Sequence, residues 1–321
     1  MKKIAVLADY LEPSHHALID STAARCGFAV DYYPDCRVPA ELAGTYEVVH
    51  GMPKPGDLKA FTGMKWFCGS FAGVDAYLDD ALYPSPEVML SNSSGAYGVT
   101  IAEHLIMVTL MLLRHAPAYL HHADAHRWGP VMPMRSIIGS TITVLGTGDI
   151  GTEFARRAKA MGAKAIRGVR RTKKAADPAF DGVFTHEELD SLLPDTDILV
   201  MALPSTADTV GILSRDRIAL LPETAYVINV GRGTAIDQPA LVEALNAGKL
   251  AGAALDVFEK EPIPAGDPVW DAKNLLITPH ISGQMSLGYT RDKNVALFCE
   301  DLENYAAGRP LKRYVDRKIG Y

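Results

Sequence analysis

Short runs of consecutive apolar residues alternate along this chain with longer stretches in which apolar positions recur every three or four residues. A first series of runs occupies residues 3–7, 29–33, 46–51, 64–69 and 88–92; a second occupies 141–145, 165–169, 197–203, 225–230, 251–257 and 275–278. Runs apolar throughout belong to strands covered on both faces, and the stretches between them are long enough for crossover helices. The pattern predicts two doubly wound α/β units with parallel sheets, one of about five strands and one of about six. Residues 99–114 read as a long apolar helix, followed by a His-rich polar stretch to Arg135. After His280 the pattern is wholly helical over 287–307. A helix following the second sheet must pack somewhere, and the economical arrangement returns it to the first unit. Two chain crossings then form a hinge, and a hinge cleft is where ligands bind.

Composition narrows the function. With 321 residues, 48% hydrophobic and 22% charged, the chain can fill the cores of two domains. Thirty-two basic against 38 acidic residues leave a net charge of −6, which disfavours nucleic acid and anionic membrane as partners. Cys26, Cys36, Cys68 and Cys299 are scattered without C-x-x-C spacing, as expected of reduced thiols in a cytoplasmic protein. Five apolar residues before Asp9 are too few for a secretory signal, and the longest apolar run, 105–113, is roughly half a membrane span.

Gly146-Thr147-Gly148-Asp149-Ile150-Gly151 follows one of these strands. Behind it, Ile150, Phe154, Ala155, Ala158 and Met161 recur at helical spacing until Gly162. A glycine turn between strand and helix suits a dinucleotide: tight turn, close backbone approach, and helix amides facing a pyrophosphate. The next strand ends in Arg170-Arg171-Thr172-Lys173-Lys174, with no carboxylate to take a ribose 2′-hydroxyl. Two guanidiniums and a hydroxyl suit a 2′-phosphate, which favours NADP(H) and leaves NAD(H) possible. Three later strands end in Asn229-Val230-Gly231-Arg232-Gly233, in Asp256 to Pro262, and in Thr278-Pro279-His280. There an arginine can grip an α-keto acid, a histidine can pass a proton to its oxygen, and Glu261 can orient the ring.

With these stretches, and with Phe71-Ala72-Gly73-Val74-Asp75, Val99 to His104 and Leu203-Pro204-Ser205-Thr206, the chain resembles the D-isomer-specific 2-hydroxyacid dehydrogenases over nearly its whole length. The resemblance implies a Rossmann cofactor domain at 98–284. It also implies a smaller flavodoxin-like substrate domain made of 1–97 and 285–321. Arg232, Glu261 and His280 match the catalytic residues, and Ala72 and Gly73 the loop whose amides hold the substrate carboxylate. Asp256 matches the carboxamide-binding aspartate, and Leu203, Pro204, Thr209, Val230, Arg232 and His280 match further cofactor contacts. The implied activity is reduction of a small 2-keto acid to a D-2-hydroxy acid, in a homodimer paired through the cofactor domain. The basic turn is similar to the NADPH-preferring glyoxylate/hydroxypyruvate reductases. Two alternatives share the scaffold: a nucleotide-sensing corepressor, and formate dehydrogenase, against which Glu261 speaks. Ile281 to Met285 departs from the family pattern, and Trp128 has no assigned partner. Tyr97 suits either the cleft mouth or packing. His115, His121, His122 and His126 lack a completing ligand pattern, so no metal is expected.

Overall fold

The computed structural model describes residues 1–173 and 177–320; Lys174, in the basic turn, and Tyr321 lie outside the described residues. Met1–Tyr97 and the chain from Gln284 onward form one compact unit, and Gly98–Gly283 forms another.

The first unit runs β1 (Lys2–Leu7), α1 (Pro13–Arg25), β2 (Phe28–Tyr32), α2 (Ala40–Ala43), β3 (Val48–Gly51), β4 (Trp66–Gly69) and β5 (Met89–Ser91). These strands form a parallel sheet in the order β2-β1-β3-β4-β5. The second unit comprises α3 (Gly98–Leu113), α4 (Ala116–Asp124), β6 (Thr141–Leu145), α5 (Asp149–Ala160), β7 (Ala165–Val169), β8 (Gly182–Phe184) and α6 (Leu189–Leu192). It continues with β9 (Ile198–Met201), α7 (Arg215–Leu220), β10 (Tyr226–Asn229), α8 (Gln238–Asn246), β11 (Gly252–Leu255) and β12 (Leu275–Ile277). Its sheet is parallel in the order β12-β11-β10-β9-β6-β7-β8. The last helix, α9 (Gly288–Ala306), belongs to the first unit and packs along α1.

The continuous apolar runs have a simple cause. Successive side chains of β1 serve opposite cores: Ile4 and Val6 join Ile19, Val48, Trp66, Val295, Phe298 and Leu302, whereas Ala5 and Leu7 join Val49, Phe67 and Leu90. Strands β3, β4, β6, β9, β10 and β11 are buried at every residue. Helix α5 buries Gly151, Phe154, Ala155 and Ala158, one face at helical spacing, and Gly162 (φ +88°) follows its C-cap in the left-handed region.

Two elements differ from the sequence pattern. The second sheet has a seventh strand, β8, which is three residues long and half-buried throughout, so no apolar run marks it. The stretch after α3 also contains α4, entered through His115 at φ +55°; α4 buries none of its residues and so shows no apolar periodicity. Among the described residues, no single helix is long and apolar enough to cross a membrane. Cys26, Cys36, Cys68 and Cys299 are all free thiols.

One core residue carries a pH dependence. His50 on β3 is fully buried, stacks on Phe298 at 4.0 Å, and bonds through Nδ1 to the Cys68 carbonyl at 3.1 Å. Burial lowers its pKa from 6.5 to about 4, against the opposing Cys68 hydrogen bond. Between these values the unfolded chain takes up a proton that the folded chain refuses, so stability falls as pH drops from 6.5 towards 4. The loss amounts to about 3 kcal/mol. Urea unfolding of His50→Phe at pH 7 and pH 4.5 is expected to show a smaller acid loss than wild type. An identical loss removes His50 from the acid limb.

Candidate active site

The glycine turn joins β6 to α5, and its glycines have different reasons to be glycine. Gly146 has φ +102°, and a Cβ there would lie 2.6 Å from the Ala202 carbonyl oxygen. A Cβ at Gly151 would collide with the Gly146 carbonyl oxygen, so this residue lets the helix pack onto the turn. Gly148, the N-cap of α5, has extended backbone and open space around its missing side chain. The protein's own packing therefore does not demand glycine at 148, whereas a pyrophosphate approaching the helix amides does. Thr147 Oγ1, in the same turn, is buried without a hydrogen-bond partner among the described residues. Both observations fit a dinucleotide seated on this turn. The Asp149 side chain faces elsewhere: its Oδ2 accepts the Gly98 amide at 2.7 Å, at the start of α3, leaving its backbone and that of Ile150 in the first turn of α5.

Adjacent strands β10, β11 and β12 end in the loops carrying Arg232, Glu261 and His280. The Asn229 side chain shapes the first loop, accepting the Gly231 amide at 2.9 Å and donating to the Arg232 carbonyl at 2.8 Å. Half-buried Arg232 donates from Nη1 to the Gly231 carbonyl. A Cβ at Gly233 would overlap the backbone of Phe258 and Glu259, so the second loop lies directly on the first. Glu261 Oε1 accepts the Phe258 amide at 2.8 Å, and its Oε2 lies 2.7 Å from His280 Nδ1. The carboxylate engages Nδ1, and proton exchange with a ligand would run through Nε2 on the far side of the ring. The His280 side chain is 51% exposed, so solvent can restore that proton.

His280 itself sits at φ +52°, a conformation that a non-glycine residue holds only when its surroundings impose it. Asp256, 1% exposed, imposes it. Its backbone carbonyl accepts the His280 amide at 2.9 Å; Oδ1 accepts the Thr278 hydroxyl (2.6 Å) and the Ile281 amide (2.9 Å), and Oδ2 the Ser282 amide (3.0 Å). Burial alone would raise this carboxyl's pKa. The hydrogen bonds from Ser282, Thr278 and the amides of Ile281 and Ser282 outweigh it and hold the group below its ordinary range. His104 on α3 reaches the same cluster, with Nε2 3.4 Å from Thr278 Oγ1. Burial lowers its pKa, opposed by Asp256. The support that Asp256, Thr278 and Gly233 give these loops is invisible in the sequence, because each contact joins segments distant along the chain.

The remaining candidates lie at the same carboxyl edge of this sheet. Leu203 and Pro204 follow β9, with a Cβ at Gly231 falling 2.6 Å from the Leu203 carbonyl oxygen. The Thr209 hydroxyl donates to the Pro204 carbonyl (2.7 Å) and accepts the Thr206 amide (2.8 Å), so it closes the 204–209 loop. Val230 is buried after β10. Arg170, Arg171 and Thr172 follow β7, with the Arg170 amide bonded to the Phe184 carbonyl. Lys173 pairs with Glu188 at 3.1 Å.

Ala72 and Gly73 belong to the first unit, in the loop after β4. Tyr97, of the same unit, is buried and donates to the Ser70 carbonyl at 2.6 Å, the packing role. Trp128 is fully exposed, and His115 bonds through Nε2 to the Pro133 carbonyl. Among the described residues there is no group of three or more His, Cys, Asp or Glu fit to hold a metal.

Residues 106–282 match the family model described as D-isomer specific 2-hydroxyacid dehydrogenase, NAD binding domain. Glyoxylate/hydroxypyruvate reductase A of Klebsiella pneumoniae (strain 342) is 31% identical over 257 residues, covering 78% of this chain and 80% of that protein. The crystal structure of a D-isomer specific 2-hydroxyacid dehydrogenase family protein from Aeromonas salmonicida subsp. salmonicida A449 superposes with a TM-score of 0.85 at 30% identity, covering 98% of this chain and 99% of that one. An NADPH-dependent glyoxylate/hydroxypyruvate reductase from Sinorhizobium meliloti, solved with NADP and sulfate, gives a TM-score of 0.82 at 27% identity over all of both chains.

Proposed function

The chain belongs to the D-isomer-specific 2-hydroxyacid dehydrogenases, and on that premise we propose that it reduces a short 2-keto acid of the glyoxylate or hydroxypyruvate type, with NADPH as the favoured cofactor. The observation that carries the reading is the Glu261–His280 pair at 2.7 Å, on the strand end next to the Arg232 loop. Bound reduced nicotinamide supplies the hydride. The amides of residues 146–151 hold the pyrophosphate, and Arg170, Arg171 and Thr172 hold the ribose 2′-phosphate. Leu203, Pro204, Thr209, Val230 and Asp256 complete the cofactor's surroundings.

In this reading the Ala72 and Gly73 amides receive the substrate carboxylate, and Arg232 grips it and polarises the ketone. As the carbonyl carbon gains hydride, its oxygen takes the proton from His280 Nε2, giving the D-2-hydroxy acid. Glu261, 2.7 Å from Nδ1, orients the ring. Residues 98–283 act as the cofactor domain, and the first unit as the substrate domain.

We further propose a cytoplasmic homodimer that pairs through residues 98–283. Leu120, Trp128, Met132, Met134 and Ile138 are large apolar side chains exposed within one segment of that unit, which supports a covered face. Sedimentation at the mass of a monomer overturns the pairing.

The test is NADPH oxidation with glyoxylate, hydroxypyruvate and pyruvate, for wild type and Arg170→Asp. Turnover with at least one acid is expected; none with any of the three overturns the reading. The substitution should lower the NADPH-to-NADH ratio of kcat/KM about tenfold or more, the loss of one charge-assisted hydrogen bond. An unchanged ratio means that the basic turn does not read the phosphate.

A further inference from the structure

The proposed substrate loop after β4 rests on a buried polar chain that ends on the terminal helix. Asn294 of α9 is fully buried. Its Oδ1 accepts from the Tyr10 hydroxyl at 2.8 Å, and Ser70 Oγ lies 2.7 Å from the same hydroxyl. Its Nδ2 donates to Ser93 Oγ at 2.5 Å, and Ser93 Oγ donates to the Gly69 carbonyl at 2.9 Å. Asn294 therefore accepts at one end of the chain and donates at the other. A carboxamide does so; a carboxylate at 294 does not.

The chain also orients specific amides. A peptide unit is planar, so anchoring its carbonyl aims its N–H the opposite way. The Ser93 amide donates to the Phe71 carbonyl at 2.9 Å, which aims the Ala72 N–H. Asn92 Nδ2 donates to the Ala72 carbonyl at 2.7 Å, which aims the Gly73 N–H. Ser93 is thus the joint: its backbone sets one carboxylate-binding amide, and Asn294 grips its side chain. An ion pair, Arg291 to Glu12 at 2.8 Å, and a hydrogen bond, between Asp292 and His15 at 2.9 Å, hold α9 to the start of α1 nearby.

We propose that Asn294 is a positioning residue for the substrate: through Ser93 it fixes the peptide plane that presents the Ala72 amide to the keto-acid carboxylate. This rests on the reading of residues 72–73 given above. A carboxylate is held equally in the ground and transition states, so its loss raises KM and spares kcat. Asn294→Ala is expected to raise the glyoxylate KM about tenfold, with kcat within about twofold of wild type and the NADPH KM unchanged. Ser93→Ala deletes the same link from its other end by removing one oxygen, and reads the link if the first variant does not fold. Val295→Ala, a core substitution on the same helix, should lower Tm without changing KM.

Asn92→Ala separates the two claims. If Asn92→Ala raises the glyoxylate KM while Asn294→Ala and Ser93→Ala do not, the loop reading stands and Asn294 loses its role. If none of the three raises it, the loop reading falls and takes this inference with it. If Val295→Ala raises KM as much as Asn294→Ala, KM follows helix stability and the proposal is overturned.

Discussion

Replacing His280 with alanine is expected to lower kcat for glyoxylate reduction by about 10²–10⁴-fold, the range for losing a positioned general acid. The imidazole sits on the carboxylate of Glu261 at 2.7 Å and is about half exposed. Little of the protein's packing depends on it, so the variant should fold and still bind NADPH. The loss should therefore appear in kcat and kcat/KM together, as for an interaction made only in the transition state. Steady-state kinetics, with fluorescence titration of NADPH as the control, decide it. Full turnover in the variant removes His280 from the reaction.

The second large effect comes from a residue proposed to touch no ligand. Gly233→Ala is expected to reduce kcat/KM by at least about 10²-fold. Its new methyl group would stand inside the backbone of Phe258 and Glu259, an obstacle no side-chain rotation relieves. The loop that delivers Glu261 must move away from the Arg232 loop, and displacing a catalytic group by about 1 Å costs on the order of 10²-fold. Asn229 shapes the same turn through the Gly231 amide and the Arg232 carbonyl, so the arginine is disturbed as well. A melting curve should show a lower Tm. Wild-type kinetics in a folded variant would falsify the argument that this close approach sets the catalytic geometry.

Much of the fold was legible because the strands are buried on both faces, which writes them as unbroken apolar runs. Exceptions follow the same physics: β8 is a half-buried edge strand of three residues, and α4 buries nothing. The parallel α/β architecture also matches that of the solved relatives. At the candidate site, the order of the strand-end loops could be read, since each follows its strand directly. What those loops rest on could not. Asp256 fastens residues 278–282 through four hydrogen bonds, Gly233 meets residues 258–259, and the Asp149 carboxylate turns to Gly98. Each is a non-local contact that no residue type at a fixed spacing encodes.

Helix α9 supplies Val295, Phe298, Cys299 and Leu302 to a core whose other members lie within the first 68 residues, apart from Leu311 beyond it. During translation, residues 1–97 emerge long before that helix, and the whole of 98–283 is made in between. At about 5–20 residues per second, one face of the early sheet, with Ile4, Val6 and Trp66, waits roughly ten to forty seconds for its cover. The nascent chain thus presents a sticky apolar surface until α9 emerges to hide it. Proteolysis of ribosome-stalled chains ending before and after residue 306 should register that wait as a late gain of resistance.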